Sequence, residues 1–154
     1  MKKRNRFGLV RGEHGGSLVE TALVLPFFLL LSLGAVDLGR AFYLAIEIAG
    51  AARAGAIYGS QNPNDTAGIR TVAQDDAPDV PNLSVGTPTY GCECADGTNF
   101  SASCSTTPSC ANNLNVVYRV NITVTGTYAP LLGWPGVPSS MSFSSSASMR
   151  SAGS

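Results

Sequence analysis

One glutamate inside an apolar run is the first side chain of this sequence whose position suggests chemistry. Glu20 is the only charged residue between Leu18 and Val36, and an unpaired charge inside a bilayer is costly. Gly15 and Gly16 precede it, and cleavage between them would leave an α-ammonium group at the start of the apolar helix. A carboxylate from a neighbouring helix could neutralise that group and fix the stagger between the helices. The alternative is an N-terminal helix acid favoured only by the helix dipole.

The second candidate group is a cluster of four cysteines, Cys92, Cys94, Cys104 and Cys110. An even number of cysteines in an extracytoplasmic segment predicts two disulfides. Strain disfavours a bond between the near neighbours Cys92 and Cys94, which leaves 92–104 with 94–110, or 92–110 with 94–104. A zinc site ligated by all four thiolates is the alternative, because Cys-x-Cys pairs also bind metal. The long polar loop and the expected external location favour disulfides.

The rest of the sequence argues against an enzyme. His14 is the only histidine and precedes the apolar run, so no histidine-based triad or metal site is expected beyond that run. There is no phosphate loop or dinucleotide fingerprint. The net charge is zero with 13% charged residues, which disfavours a nucleic-acid surface. We therefore predict a protein without catalytic residues, cofactor, bound metal or nucleic-acid partner.

The apolar run from Leu18 to Val36 is long enough to cross a bilayer as a helix. Its 19 residues rise roughly 28 Å, close to the hydrocarbon thickness of a membrane. Twelve of them are Leu, Val or Phe, which together favour insertion by about 5 kcal/mol. Glu20 lies near the end of the run, where a charge costs less than at the centre. We expect one transmembrane helix over residues 16–37.

Five basic residues before the run set its expected orientation. By the positive-inside rule they hold the N-terminus in the cytoplasm and place the remainder of the chain outside. Residues 1–15 lack periodicity and are predicted to be a basic cytoplasmic leader. A secretory signal peptide is the alternative, although the run is longer than a usual apolar signal core and lacks a good Ala-x-Ala site. The basic residues are Lys2, Lys3, Arg4, Arg6 and Arg11.

Three stretches of the sequence together resemble the TadE-like family. They are Gly16-Ser17-Leu18-Val19-Glu20-Thr21-Ala22-Leu23-Val24-Leu25-Pro26, Asp37-Leu38-Gly39-Arg40-Ala41 and Ala51-Ala52-Arg53-Ala54-Gly55-Ala56. Proteins of this family are pseudopilin-like minor components of the tight-adherence (Flp pilus) secretion machinery of bacteria and archaea. The resemblance implies an inner-membrane protein with other pilin-like subunits and pilus assembly proteins as partners. The stretch Gly15-Gly16-Ser17-Leu18-Val19-Glu20 separately resembles the prepilin peptidase site of type IV pilin-like proteins. That resemblance implies a cut after Gly15 and a register-setting role for Glu20, fifth in the mature chain.

The pattern beyond the apolar run predicts an α+β, pilin-like fold in which the long helix leads into a small antiparallel sheet. Helical spacing continues as an amphipathic extension over residues 38–58. The head over residues 59–154 contains an expected short helix at 66–76, capped by Asn64 or Asp65, and a Cys-rich loop at 92–110. The expected core-facing residues of the extension are Leu38, Phe42, Ala45, Ile46, Ala49, Ala52 and Ala56.

Alternating apolar and polar residues predict the strands of the head. Residues 115–128 form the strongest strand pattern, and residues 139–150 are expected to pair antiparallel with them. Residues 83–85 are a possible short strand. In the loop between the two long strands, Leu131, Leu132 and Trp134 are expected to tuck against the sheet edge.

These features favour a structural role over a catalytic one. We expect a membrane-anchored pseudopilin or minor pilin that acts in Tad/Flp-type pilus assembly or secretion and in surface adherence. One alternative is a membrane-anchored extracytoplasmic binding module. Another is a signal-anchored secreted protein with no pilus role.

Overall fold

The computed structural model describes residues 14–104, 108–111, 115–133 and 135–151. A long helix precedes an antiparallel sheet, which confirms the α+β prediction. Most of the predicted leader, positions 1–13, lies outside the described residues, as does Trp134. The chain divides into two compact units, Met1–Leu38 and Gly39–Ser154. The elements are α1 (His14–Gln61), α2 (Thr66–Asp75), β1 (Ser84–Val85), β2 (Thr89–Cys94), β3 (Val116–Tyr128) and β4 (Met141–Ser151).

Strand β3 is the centre of the sheet. It pairs antiparallel with β1 and β2 along one edge and with β4 along the other. The β3–β4 pair is a hairpin closed by Tyr128 and Met141, as the alternating sequence predicted. At the far end of β4, the Ser151 hydroxyl donates a hydrogen bond to the carbonyl oxygen of Ser60, at 3.0 Å. That bond ties the last strand to the end of α1.

The core of the Gly39–Ser154 unit lies between α1, α2 and one face of the sheet. Alternate residues of β3 are buried in it, namely Val120, Ile122 and Val124. This is the apolar face that the strand pattern predicted. From α2, Ile69 and Ala73 are fully buried. The buried residues contributed by α1 are Leu44, Ile48, Ala51, Ala52 and Ala56.

The prediction of which face of α1 meets the core is wrong for the large residues of the helix. Phe42 and Ile46 are exposed over 62% and 68% of their surfaces, whereas Leu44 and Ile48 are buried. The helix carries apolar residues on both sides, so periodicity alone does not identify the inner side. Small residues decide it, because the stretch from Ala51 to Gly59 lets the sheet approach closely. A Cβ atom on Gly59 would lie 2.8 Å from Cγ1 of Val120.

Helix α2 begins with a side-chain cap. Asp65 is the N-cap residue, and its Oδ1 accepts a hydrogen bond from the Gly68 amide at 2.9 Å. Its Oδ2 accepts a second bond from the Tyr58 hydroxyl at 2.8 Å. Of the two predicted caps, Asn64 and Asp65, the structure uses Asp65. These bonds join the start of α2 to the end of α1.

Two predictions about the head are wrong. The Cys-rich segment is not a loop throughout, because Cys92 and Cys94 lie on β2, paired with Tyr118 and Val116. The strand was missed because its sequence contains a glycine and an acid in place of a regular apolar alternation. Leu131 and Leu132 do not tuck against the sheet, since they are exposed over 57% and 39% of their surfaces.

Candidate functional site

The N-terminal half of α1 is an exposed apolar helix. Within the part of the chain that the structure describes, α1 is the one helix long and apolar enough to cross a membrane. None of its most apolar window is buried inside the protein. Leu18, Leu23, Phe27 and Leu31 are each exposed over more than 60% of their surfaces. A helix that is apolar on all sides and uncovered is suited to lipid or to other apolar helices.

Glu20 is the only carboxylate on this apolar surface. It borders a shallow groove along the helix, lined also by Thr21, Val24, Leu25 and Phe28. The Thr21 hydroxyl is turned back to the Ser17 carbonyl, to which it donates a 2.8 Å hydrogen bond. The groove is apolar apart from the carboxylate, so a cationic group that docks there meets one defined acceptor.

The glycines that precede Glu20 lie within the first turn of α1, which begins at His14. Gly16 has open space around it, because an added Cβ would meet nothing within 4 Å. The predicted cleavage position therefore lies at the start of the apolar helix, one turn before Glu20. Pro26 lies six residues beyond Glu20 in the same helix.

The four cysteines form two disulfides, Cys92–Cys104 and Cys94–Cys110. This is one of the two pairings that the sequence left open. The bonds close segments of 12 and 16 residues, and the chain-entropy estimate is about 3 kcal/mol of stabilisation for each. All four sulfurs are used in this way, so the thiolate ligands of the alternative zinc site are absent. Among the described residues, no cluster of three or more His, Cys, Asp or Glu could hold a metal.

The segment after β2 folds back over that strand. Cys92 and Ser101 exchange backbone hydrogen bonds of 2.9 and 2.8 Å, and a Cβ on Gly91 would lie 2.6 Å from the ring of Phe100. Under this cover, Glu93 is buried and forms an ion pair with Arg119 of β3. The pair gives the buried carboxylate its counter-charge, so Glu93 is explained by the fold without a catalytic role.

The Gly39–Ser154 unit contains a cleft that the sequence did not predict, beside the first residues of the unit. It has a volume of about 330 Å³, and its walls include Arg40, Tyr43, Asp79 and Tyr128. The guanidinium carbon of Arg40 lies 5.8 Å from the centroid of the Tyr128 ring, a cation–π contact. A hydrogen bond to Glu47 raises the pKa of the Tyr43 hydroxyl above its ordinary value. The cleft brings together residues that are far apart in sequence, so no local motif predicts it.

The chain has an uncovered apolar N-terminal helix, long enough to serve as a membrane anchor, followed by a small α+β head with two disulfides. The family comparison makes this more specific. Residues 15–56 match the model of the TadE-like protein family, so the N-terminal region of the chain is similar to that family. The match confirms the resemblance inferred from the sequence, and it ends five residues before the end of α1. No curated protein and no solved structure matches the chain.

Proposed function

We propose that this protein is a membrane-anchored pseudopilin or minor pilin that acts in assembly of a Tad/Flp-type pilus or in the related secretion process. The observation that carries the proposal is a coincidence along one helix. The TadE-like match over residues 15–56 covers the whole uncovered apolar segment and its single carboxylate. We place the helix in the inner membrane, with residues 1–15 in the cytoplasm and the head outside.

Glu20 is the residue that we assign to assembly. Its carboxylate lies on an otherwise apolar surface, and a cation offered by a neighbouring subunit would have no competing acceptor there. The new α-ammonium group at Gly16, produced by a prepilin peptidase that cuts after Gly15, is the proposed cation. Such a pair fixes the axial stagger of two helices more than it stabilises them.

The processing step is tested by intact-mass measurement and N-terminal sequencing of the protein from native membranes. A mature chain that begins at Gly16 is the expected result. An intact Met1 chain would contradict processing while leaving the anchor in place. A chain cut near residue 35 would instead support the secreted alternative and remove the anchor.

The assembly role is tested by Glu20→Gln, with Glu47→Gln as the matched control on the same helix beyond the membrane. We expect Glu20→Gln to insert into membranes as the unchanged protein does and to reduce pilus output about tenfold or more, because the register-setting charge is lost. Glu47→Gln should keep normal output. Insertion and output are measured by membrane flotation and by quantification of surface pili. Normal output from Glu20→Gln would contradict the assembly role of Glu20.

A further inference from the structure

The loop that joins β3 to β4 is longer and more apolar than a hairpin connection needs. Its twelve residues separate Tyr128 from Met141, whereas hairpin loops usually have about 2–5 residues. No residue in it is charged. Leu131, Leu132 and Val137 are exposed over 57%, 39% and 42% of their surfaces. Each of these side chains leaves apolar surface open to the surroundings.

This loop begins beside the point at which the chain emerges from the apolar run. Ala129, its first residue, lines the same cleft as Arg40, and Arg40 contacts the Tyr128 ring. Arg40 is four residues beyond Val36, the end of the apolar run. Chain connectivity alone keeps the Cα atoms of Val36 and Arg40 within about 14 Å. The start of the loop is therefore within reach of the head-group layer of a bilayer that α1 crosses.

The part of α1 that directly follows the apolar run carries exposed aromatic and cationic side chains. Phe42 is largely exposed, and Tyr43 is exposed over 57% of its surface. Arg40 is also exposed, and it lies over the ring of Tyr128, which is itself buried. Aromatic rings with one polar end and long cationic side chains are favoured at the level of lipid head groups. The exposed leucines of the loop extend this surface with purely apolar groups.

We propose that the β3–β4 loop is a second membrane contact, in which Leu131, Leu132 and Val137 enter the boundary between head groups and acyl chains. Lipid is the occupant because the loop begins near the anchor along the chain and its own twelve residues carry no charge that would pair with a protein partner. The inference rests on the proposed membrane anchor. Its consequence is that the head is held at a fixed orientation to the bilayer by two contacts instead of one.

Trp134 is a native probe for this contact, since it is the only tryptophan of the chain and lies within the loop sequence. The full-length protein is reconstituted in phosphatidylethanolamine–phosphatidylglycerol vesicles with and without bromine on the acyl chains. We expect bromine to quench Trp134 fluorescence about twofold or more, since an interfacial segment lies only ~5–10 Å into the bilayer. Acrylamide, a quencher in the water phase, should have a small effect.

Variants connect the signal to the proposed residues. The double variant Leu131→Asp with Leu132→Asp should lose most of the quenching by brominated lipid and become sensitive to acrylamide. Ile57→Asp is the control, because Ile57 is an exposed apolar residue of α1 outside the loop and lies about 30 Å along the helix from Val36. In this control, brominated lipid should quench Trp134 fluorescence as strongly as in the unchanged protein. Mass spectrometric detection of both disulfides verifies that each variant folds. If a variant does not fold, the quenching measured on the unchanged protein still tests the proposal.

The possible outcomes test the loop contact and the membrane anchor separately. Release of the unchanged protein from membranes by alkaline carbonate would overturn the proposed anchor, and this inference with it. A protein that stays in the membrane but shows acrylamide quenching without bromine quenching would overturn the loop contact alone. Shielding of Trp134 from both quenchers would show that protein covers the loop, which would also overturn it. Unchanged quenching in the double variant would exclude a part for Leu131 and Leu132.

Discussion

Gly55 and Gly39 lie on the same helix but under opposite constraints. A Cβ atom on Gly55 would lie 2.7 Å from Cδ1 of Ile122 and 3.1 Å from Cβ of Ala73. A Cβ on Gly39 would meet nothing within 4 Å. The missing side chain at Gly55 thus allows α1, α2 and β3 to meet in one core. At Gly39 the missing side chain only lowers helix propensity.

Leucine substitution at the two glycines should therefore have opposite effects. We expect Gly55→Leu to destabilise the head by about 1–3 kcal/mol or more, because the new side chain overpacks the core. Gly39→Leu should be neutral or stabilise by up to about 1 kcal/mol, through helix propensity. Urea unfolding of the full-length protein in detergent, followed by circular dichroism, measures both. Equal effects at the two positions would contradict the close approach at Gly55.

Single residues were predictable from the sequence only where their chemistry is independent of partners. The four cysteines were identified, but their pairing depends on how the segment after β2 folds back. Its Ser101 pairs with Cys92, and Cys104 then bridges to Cys92. Glu93 had no interpretation in the sequence, because its partner Arg119 is brought to it by strand pairing. Residues such as these are defined by contacts across the chain, and those contacts have no local signal.

At the scale of elements, the cap of α2 links the stability of the head to pH. Hydrogen bonds from the Gly68 amide and the Tyr58 hydroxyl hold the pKa of Asp65 below the ordinary value. A carboxyl whose pKa is lowered by folding stabilises the folded state above its unfolded pKa of about 3.9. That stabilisation disappears as the pH falls through the lower, folded pKa. The contribution is thus complete at neutral pH and lost only in acid.

Asp65→Ala should reveal this dependence. Above about pH 5 the variant should melt at a lower temperature than the unchanged protein, and the gap should close as the pH falls below about 4. Asn64→Ala, at the neighbouring position that is not the cap, should show no such closing gap. Thermal melts of the full-length proteins at a series of pH values make the comparison. A gap that stays constant down to pH 2–3 would show that the Asp65 charge does not contribute.

Elements were predicted well where a regular pattern runs for more than ten residues. The long helix, β3 and β4 all have such patterns. The orientation of α1 was not predicted, because Phe42 and Ile46 on its outer side are more apolar than the alanines on its inner side. From Ala51 to Gly59 the inner side carries small residues, which allow the sheet to pack closely. Leu44 and Ile48 fill the core nearer the start of the unit, and the equally apolar Phe42 and Ile46 stay exposed.

At the scale of the whole molecule, the second half of α1 decides where the head begins. The sequence prediction begins the head at residue 59 and treats residues 38–58 as an extension. Gly39–Ser154 form one compact unit, and five of its core residues come from α1. We propose that the second half of α1 is part of the head fold. The apolar half before Gly39 is then the anchor alone.

Two fragments test this division. The fragment 39–154 should fold by itself, with both disulfides formed and a protease-resistant core. The fragment 62–154 should not, because it lacks Leu44 and Ile48, each of which stabilises by about 1.5–3 kcal/mol when buried. With the three core alanines also gone, the loss approaches the whole stability of a small domain, about 5–15 kcal/mol. Limited proteolysis and mass spectrometric mapping of the disulfides compare the two in the same mild detergent. A folded 62–154 fragment would contradict the role of α1 in the head and return the boundary to the end of the helix.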